Sequence, residues 1–362
     1  MATSSEEARK VAVQVRAIYQ SAEDDVLRLI ARRLADGLES PEWATVKARE
    51  LEGVLADVDR HIALLNEKAP ALIERSIADA YQQGADTAAL DLRAAGVIPS
   101  PIGGRDASLG VQPLAADTVA ALSGAAPRVL RAVRDTYQTV TADAAAQVLT
   151  GTATLRDAVA RSLHRYAGEG IKAFRDKSGR TWELASYADM ATRTAVGQAS
   201  RNGHLDRLRD LGQDTVIVSD HGGACPLCAP WEGRVLSISG RTTGRLSDGV
   251  MVAGRVADAE AAGLQHPNCG QRYGIYLPGY TKTPVVRHDP DEYRMRQRQR
   301  AYERQVRGWK RRVDVDVAVY GPSSPEVKAT RRKLRAGQTD FRQWREANGR
   351  RALPNRTSLT AR

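Results

Sequence analysis

The stretch HPNCG, residues 266–270, places one of the chain's three cysteines two residues after a His-Pro pair. The other two cysteines lie upstream in ACPLCAPWEG, residues 224–233. Each stretch carries two side chains of the metal-ligand type with two residues between them, a spacing at which one backbone turn presents both donors to a tetrahedral ion. The four side chains are Cys225, Cys228, His266 and Cys269.

The chemistry of these four side chains predicts a structural zinc site. Thiolate and imidazole ligands together favour Zn²⁺ over cations that prefer oxygen. A proline follows the first ligand of each pair, where its fixed φ helps to form the turn. Four protein ligands leave no coordination position open for water, so the site would join the ends of the glycine-rich segment of 37 residues between the two pairs.

Three other interpretations of the four side chains stay open. They can pack together in a core without metal, since free cysteine behaves as a small apolar residue. A redox pair of the C-x-x-C type is less favoured, because Cys228 leads to Pro230 and Trp231 rather than into a clear helix. The third interpretation is a catalytic zinc.

The motifs of several enzyme classes are missing from the sequence. Zinc deaminases need an H-x-E segment and P-C-x-x-C, but Cys225 follows Ala224, and His221 has no glutamate two residues later. There is also no P-loop, no G-x-S-x-G elbow and no H-E-x-x-H. We therefore expect no enzymatic activity; the alternative is a metal-dependent nuclease or DNA-packaging accessory enzyme that uses His221 and His288.

The overall composition is typical of a globular chain built mainly from helices. Hydrophobic residues make up 42% and aromatic residues 5% of the 362 positions, and Ala, Leu and Val are plentiful. We predict an α+β fold that is predominantly helical. The first residues lack the apolar core of a signal peptide, and no stretch approaches 18 apolar residues, so we expect a cytosolic protein without a membrane span.

Changes in composition along the chain predict four segments. They are a helical docking region (1–98), a linker rich in Pro, Gly and Ser (99–113), an α+β module with the four metal-ligand side chains (114–282) and a basic helical region (283–362). Within the first segment we expect one helix that begins after Ser40 and a separate helix from about Pro70 to Ala95. A further helix should run from about Ala115 to Leu149. Short strands are predicted in IKAFRDKSGRTWEL, TVIVS, RVLSIS and RYGIYLPGY.

Positive charge is concentrated in the C-terminal quarter of the chain. From residue 281 onward there are 22 Lys and Arg against 9 Asp and Glu, whereas the preceding residues carry 32 against 34. Such a run is often only a solvated helix face. Arginines interspersed with aromatic residues also favour contact with an acidic partner such as nucleic acid. The candidate contacts are Arg294, Arg296, Arg298, Arg300, Arg304, Arg307, Lys310, Arg311 and Arg312.

Four motifs follow one another in the order YADMATRT, VSDHGGACPLCAPWEGRVLSISG, GLQHPNCGQRYGIYLPGY and YRMRQRQRAYERQVRGWKRR, within roughly residues 165–350. They resemble the phage minor capsid protein 2 family, which is related to head morphogenesis proteins of the phage Mu F type. The family commonly continues after the last cysteine with a basic residue and a His or Cys, whereas here Gly270 and Gln271 follow. The residues that match the pattern are Cys225, Cys228, Trp231, Gly233, His266, Pro267, Asn268 and Cys269.

The resemblance implies a low-copy virion protein of a tailed bacteriophage, assembled in the host cytoplasm and located at the portal vertex or inside the head. Its implied partners are the portal protein, the major capsid or scaffold protein, and double-stranded DNA, and it would aid head assembly or genome delivery. DNA binding through phosphates would be independent of sequence and would weaken with salt. A host DNA-binding regulator is less favoured, because the chain lacks a compact helix-turn-helix.

Overall fold

A computed structural model describes residues 4–97, 108–175, 179, 181–220, 223–267, 269–283 and 289–359. Its α-helices are α1 (Ser4–Ala35), α2 (Trp43–Ala94), α3 (Ser108–Ser123), α4 (Ala126–Leu149), α5 (Leu155–Glu169), α6 (Leu184–Asp210), α7 (Val256–Ala261), α8 (Pro290–Tyr320) and α9 (Pro325–Ala347). Its strands are β1 (Lys172–Arg175), β2 (Thr181–Glu183), β3 (Thr215–Val218), β4 (Val235–Ser237), β5 (Val252–Arg255) and β6 (Tyr273–Ile275). The prediction of a predominantly helical α+β fold is confirmed.

The contacts within the chain group its described residues into two compact units. The first, called here the Cys/His unit, takes its residues from Met1–Ala12, Pro70–Ala120 and Met190–Gln297. The second, called the helix-rich unit, takes them from Val13–Ala69, Ala121–Asp189 and Arg298–Arg362. Both units are therefore assembled from separate parts of the chain. The four consecutive segments expected from composition concern the order of regions along the sequence, and they stay a prediction.

A mixed four-stranded sheet, in the order β5-β4-β3-β6, lies in the Cys/His unit. Strand β3 pairs antiparallel with both neighbours, so that Val216 lies opposite Leu236 on β4 and Ile275 on β6. Strands β4 and β5 pair in parallel. The sequence TVIV favours a strand because β-branched side chains fit a pleated surface. All four residues of β3 are buried, as expected for a central strand covered on both faces.

One face of this sheet carries the larger apolar core of the Cys/His unit. Val216 and Val218 pack there with Leu92 of α2 and Leu208 of α6. Cys228, which is fully buried, belongs to the same core. The segment with the upstream cysteines therefore packs on the sheet face that the helices cover, and this packing fixes the position of the segment.

Helices α2 and α6 approach each other closely within the Cys/His unit. A Cβ atom added at Gly203 would collide with the carbonyl oxygen of Tyr81, and one added at Gly84 would collide with the carbonyl of Ser200. The Tyr81 hydroxyl donates a hydrogen bond to the carboxylate of Asp206 at 3.0 Å. Glycine at both positions allows the two backbones to come together at this crossing.

The helix-rich unit contains a buried group of charged side chains. The carboxylate of Glu23 accepts hydrogen bonds from the amides of Ile171 at 2.8 Å and Ala185 at 3.2 Å. The Arg311 guanidinium donates to Asp24 Oδ1 at 2.8 Å and lies 3.4 Å from Glu23. Glu23, Asp24 and Arg311 are at most 4% exposed, so each charge depends on its partners rather than on water.

The expectation of a separate helix from Pro70 is wrong, because Pro70 lies inside the continuous helix α2. A proline removes one backbone hydrogen bond from a helix and tends to kink it, but it does not end α2 here. Ala69, in the helix-rich unit, and Ile73, in the Cys/His unit, are each buried at 1% exposure, so the helix is packed on both sides of the proline.

Two further helix boundaries differ from the sequence-based expectation. Helix α3 begins at Ser108, so residues 108–113 of the predicted linker are helical, while residues 99–107 lie outside the described residues. The single helix expected next is divided into α3 and α4, because Gly124 interrupts it and Pro127 favours a new first turn. Among the described helices, none is both long and apolar enough to cross a lipid bilayer.

Candidate functional site

Two backbone turns carry the Cys/His cluster, the name used here for the side chains of Cys225, Cys228, His266 and Cys269. In the first turn the amide of Cys228 donates to the Cys225 carbonyl at 3.0 Å. In the second turn the amide of Cys269 donates to the His266 carbonyl at 2.9 Å. The turns meet because β3 leads toward the first and β6 follows the second, and these two strands are paired.

Each upstream member of the cluster contacts a downstream member. Cys225 Sγ lies 2.9 Å from His266 Nε2, and Cys228 Sγ lies 3.5 Å from Cys269 Sγ. The ligand atoms of Cys225, Cys228 and His266 all lie within 4.8 Å of one another, as expected of side chains that can share one ion. The fourth member of the cluster, Cys269, is not in this group of three and contacts it through Cys228.

The imidazole of His266 is oriented by a hydrogen bond to the backbone. Its Nδ1 atom lies 2.8 Å from the carbonyl oxygen of Pro267. A carbonyl only accepts, so Nδ1 is the donor of this hydrogen bond, and in the neutral imidazole the lone pair then lies on Nε2, which faces Cys225. Histidines that bind metals are commonly oriented in this way.

Proton sharing between two thiols changes their acidity. The Cys228 thiol donates to the Cys269 thiolate, and this hydrogen bond lowers the pKa of Cys269 to about 6. The same hydrogen bond, together with burial, raises the pKa of Cys228. A divalent ion placed between the two sulfurs would take over the role of the shared proton, since metals bind cysteine as the thiolate.

A buried amide and a buried carboxylate contact the cluster from outside. In its thiol form, Cys269 donates to Gln271 Oε1 at 2.8 Å, and Gln271 Nε2 donates to Glu232 Oε1 at 3.0 Å. Both side chains are 4% exposed. Sequence reasoning noted Gln271 only as a departure from the family pattern and did not assign a role to Glu232. The only signal in the sequence was that Gln271 lies two positions after Cys269 and Glu232 four positions after Cys228.

The geometry and the donor set of the cluster fit a zinc ion. Zn–S bonds of about 2.3 Å in a tetrahedron place two sulfurs about 3.8 Å apart, close to the 3.5 Å between Cys228 and Cys269. The 2.9 Å between Cys225 and His266 is shorter than the about 3.6 Å expected across a zinc, so an ion would widen this contact. Three sulfurs and one imidazole nitrogen form a donor set typical of structural zinc sites.

The candidate DNA contacts on α8 differ widely in exposure. Arg294, Arg298 and Arg304 are exposed, and Arg294 forms an ion pair with Asp291. The partly buried members are Arg296, Arg300, Lys310 and Arg312. Of these, Lys310 donates to the Thr357 carbonyl at 2.7 Å, and Arg312 donates to the carbonyl of His164 at 3.1 Å.

Two of the predicted contacts, Arg307 and Arg311, are buried. Arg307 is 5% exposed and donates to the Arg356 carbonyl at 2.7 Å. Arg311 is 4% exposed and pairs with Glu23 and Asp24. Their guanidinium groups stabilise the helix-rich unit and are not accessible to a phosphate in this structure.

Sequence reasoning did not include helix α9 among the candidate contacts. Its exposed basic residues are Lys328, Arg331, Arg332, Lys333, Arg335 and Arg342. The signal was present in the segment TRRKLR, but the higher number of arginines between 294 and 312 drew the assignment to α8. The two histidines of the nuclease alternative, His221 and His288, lie outside the described residues, as does Asn268.

Comparison with known proteins relates the chain to a protein family and to a curated phage protein. A family model described as "Phage minor capsid protein 2" matches residues 5–345 of the chain. A curated protein of Lactococcus phage LL-H with the name "Structural protein" is 27% identical over 183 residues, 49% of this chain and 49% of that protein. The chain thus spans about half the length of this relative. No solved structure matched the chain.

Proposed function

Because the chain belongs to the phage minor capsid protein 2 family, we propose that it is a low-copy structural protein at the portal vertex of a tailed bacteriophage head. Membership in this family makes it a structural component of the virion. Its location at the portal vertex is our proposal, as are its partners, the portal protein and the major capsid or scaffold protein. The proposed role is to aid head assembly or genome delivery.

The observation that carries this proposal is the extent of the family match. It runs from residue 5 to residue 345, so it includes the helices on both sides of the Cys/His cluster as well as the cluster itself. Because the match covers the helices as well as the cluster, the relation to capsid proteins does not depend on one short motif.

Co-expression with the portal protein of the same phage tests the location. Size-exclusion chromatography followed by mass spectrometry should find both chains in one complex at a fixed ratio. The major capsid protein, co-expressed in a parallel sample, is the comparison. Co-elution with the major capsid protein but not with the portal protein would contradict the portal location.

We further propose that the Cys/His cluster binds one structural Zn²⁺. Cys225, Cys228, His266 and Cys269 would hold the ion, and Zn²⁺ would link the two turns without providing an open position for catalysis. Three features support this: the convergence of three ligand atoms, the orientation of His266 by Pro267, and the lowered pKa of Cys269.

We also propose that the protein contacts packaged DNA without sequence preference. The support is the excess of basic residues in the C-terminal quarter, since lysine and arginine bind duplex DNA through its phosphates. A gel-shift series with duplex DNA in rising salt tests this contact. Binding should be present at low salt and should weaken steeply as salt rises. A chain that binds no duplex at low salt would contradict this part of the proposal.

A further inference from the structure

The exposed basic residues of helix α9 are not spread around the helix. With 3.6 residues per turn, five of them fall within a sector of about 100°. These five, called here the α9 stripe, are Lys328, Arg331, Arg332, Arg335 and Arg342. With a rise of 1.5 Å per residue, the stripe is about 21 Å long.

The opposite side of α9 fixes the helix within the helix-rich unit. Val327, Thr330 and Phe341 are buried there. Phe341 stacks on Tyr302 of α8 with ring centroids 5.4 Å apart, and Trp344 packs against the same ring in a tilted arrangement at 5.3 Å. The stripe is therefore carried by a helix whose other face is anchored by aromatic packing.

The remaining basic residues of α9 contact aromatic rings instead of joining the stripe. Lys333 Nζ lies 5.9 Å from the centre of the Trp309 ring, and the Arg345 guanidinium lies 5.2 Å from the ring of Phe341. Among the described residues, no carboxylate forms an ion pair with any of the five stripe side chains. Their charges thus face solvent, whereas Arg294 of α8 is paired with Asp291.

We infer that the α9 stripe, rather than α8, is the surface of this protein that contacts the phosphates of duplex DNA. This inference rests on the proposed DNA contact and assigns it to particular residues. A duplex carries one negative charge per about 1.7 Å of its axis, so a length of 21 Å offers on the order of twelve phosphates to the five cations. One exposed carboxylate, Glu346, falls in the same sector of α9, so five cations less one anion leave a net charge of about +4, which is complementary to the phosphates.

The composition of the stripe favours DNA over an acidic protein as the occupant. Protein interfaces have a core of apolar and aromatic side chains that becomes buried on binding. None of the large apolar side chains that are exposed in the described part of the chain lies on α9. Contacts with phosphates need only positive charge and hydrogen-bond donors, and arginine provides both.

The test compares two triple variants of the full chain. In the stripe variant, Arg331→Gln, Arg332→Gln and Arg335→Gln remove three charges from α9. In the control variant, Arg294→Gln, Arg298→Gln and Arg304→Gln remove three exposed charges from α8. Circular dichroism and thermal unfolding first establish that both variants fold as the unchanged chain does, as expected for substitutions at exposed positions.

Duplex binding is then measured by fluorescence anisotropy over a salt series. Each lost phosphate contact lowers the slope of log K against log salt by about 0.9. The stripe variant should bind roughly tenfold or more weakly than the unchanged chain at low salt. When the salt rises from about 50 to about 200 mM, the factor by which its affinity falls should be up to about 40 times smaller than the factor for the unchanged chain. The control variant should stay within about threefold of the unchanged chain at every salt concentration.

Three outcomes would overturn the inference. Equal binding by the stripe variant and the unchanged chain, with weaker binding by the control variant, would move the contact to α8 and leave the proposed DNA contact intact. No duplex binding by the unchanged chain would contradict both the assignment to the α9 stripe and the proposed DNA contact. A stripe variant that keeps its affinity for DNA but no longer co-elutes with the portal protein would make the stripe a protein interface.

Discussion

His266 Nε2 lies 2.9 Å from Cys225 Sγ, although the two residues are 41 positions apart in the chain. The same separation divides Cys228 and Cys269, whose sulfurs are 3.5 Å apart. Two contacts of equal sequence separation thus connect one pair of turns. A metal ion at this place would close the segment between the turns, including β4, β5 and α7, into one loop.

Replacing His266 by alanine should weaken zinc binding strongly. The variant loses one of four proposed ligands, and we expect its zinc affinity to fall by at least about a hundredfold, more than for the loss of an outer hydrogen-bond partner. A competition titration with a chromophoric zinc chelator measures the change. The matched control is His61→Ala, because His61 Nδ1 also lies 2.9 Å from a backbone carbonyl but is far from the cluster in sequence. Equal zinc affinities of the two variants would exclude His266 as a ligand.

Gln271→Ala should not weaken zinc binding. Gln271 Oε1 accepts a hydrogen bond from the Cys269 thiol, and a zinc-bound thiolate has no proton to donate, so the amide oxygen does not stabilise the metal-bound form. The same chelator competition measures the affinity. Gln343→Ala, at an exposed position of α9, is the control and should bind zinc as the unchanged chain does. A loss of affinity in Gln271→Ala that Gln343→Ala does not share would mean that the amide holds Cys269 in position as a ligand.

Gly203→Ala should destabilise the Cys/His unit. The added Cβ would collide with the backbone of Tyr81, which cannot move aside as a side-chain end can. We expect a loss of about 1–3 kcal/mol in the free energy of unfolding. Gly53→Ala is the control, since Gly53 is an exposed helical position with nothing within 4 Å of the added atom, and it should gain about 0.5–1 kcal/mol. Urea titrations in which both variants shift the same way would contradict the close helix crossing.

Asp24 should make the stability of the helix-rich unit depend on pH. Burial raises the pKa of Asp24 to about 7, although the Arg311 charge lowers it. The unfolded chain has a pKa near about 3.9 at this residue, so the folded state binds the proton more tightly. The stabilisation from this group is therefore complete below about pH 4 and is lost as the pH rises to about 7, with a slope of at most about 1.4 kcal/mol per pH unit.

The comparison of Asp24→Asn with the unchanged chain isolates this contribution. The amide does not ionise, so the free energy of unfolding of the variant should fall less between about pH 5 and pH 7. Asp340→Asn, at an exposed position of α9, should keep the pH dependence of the unchanged chain. Identical pH dependence in Asp24→Asn and the unchanged chain would mean that Asp24 is ionised throughout this range.

The nuclease alternative predicts cleavage of plasmid DNA, and we expect none. Supercoiled plasmid incubated with the full chain and Mg²⁺, Mn²⁺ or Zn²⁺ should stay supercoiled on an agarose gel. Nicking by the unchanged chain that is lost in His221→Ala or His288→Ala would instead favour an enzyme.

Local patterns in the sequence predicted the parts of the structure that depend on near neighbours. The run TVIV predicted β3 because β-branched residues favour strands wherever they occur, and the spacing of Cys225 and Cys228 predicted one turn. The contact between Gln271 and Glu232 was not predictable, because it depends on strand pairing that brings distant residues together.

The burial of Arg311 illustrates a second limit of the sequence. Its charge suggested an exposed contact, but its partners Glu23 and Asp24 come from α1, 287 or more positions earlier in the chain. A buried arginine is tolerated only where such carboxylates surround it. Helical periodicity places Arg307 and Arg311 on one face with Val315, which was a local sign of burial. Only the folded chain shows Glu23 and Asp24, the acidic side chains that make the burial of Arg311 possible.

The zinc content of the purified full chain tests the central claim most directly. The protein should be prepared under reducing conditions without chelator and analysed by inductively coupled plasma mass spectrometry beside a Cys225→Ser, Cys228→Ser variant. The account predicts one zinc per unchanged chain and little or none in the variant. A folded chain that contains no zinc and takes up none when the ion is added would contradict it.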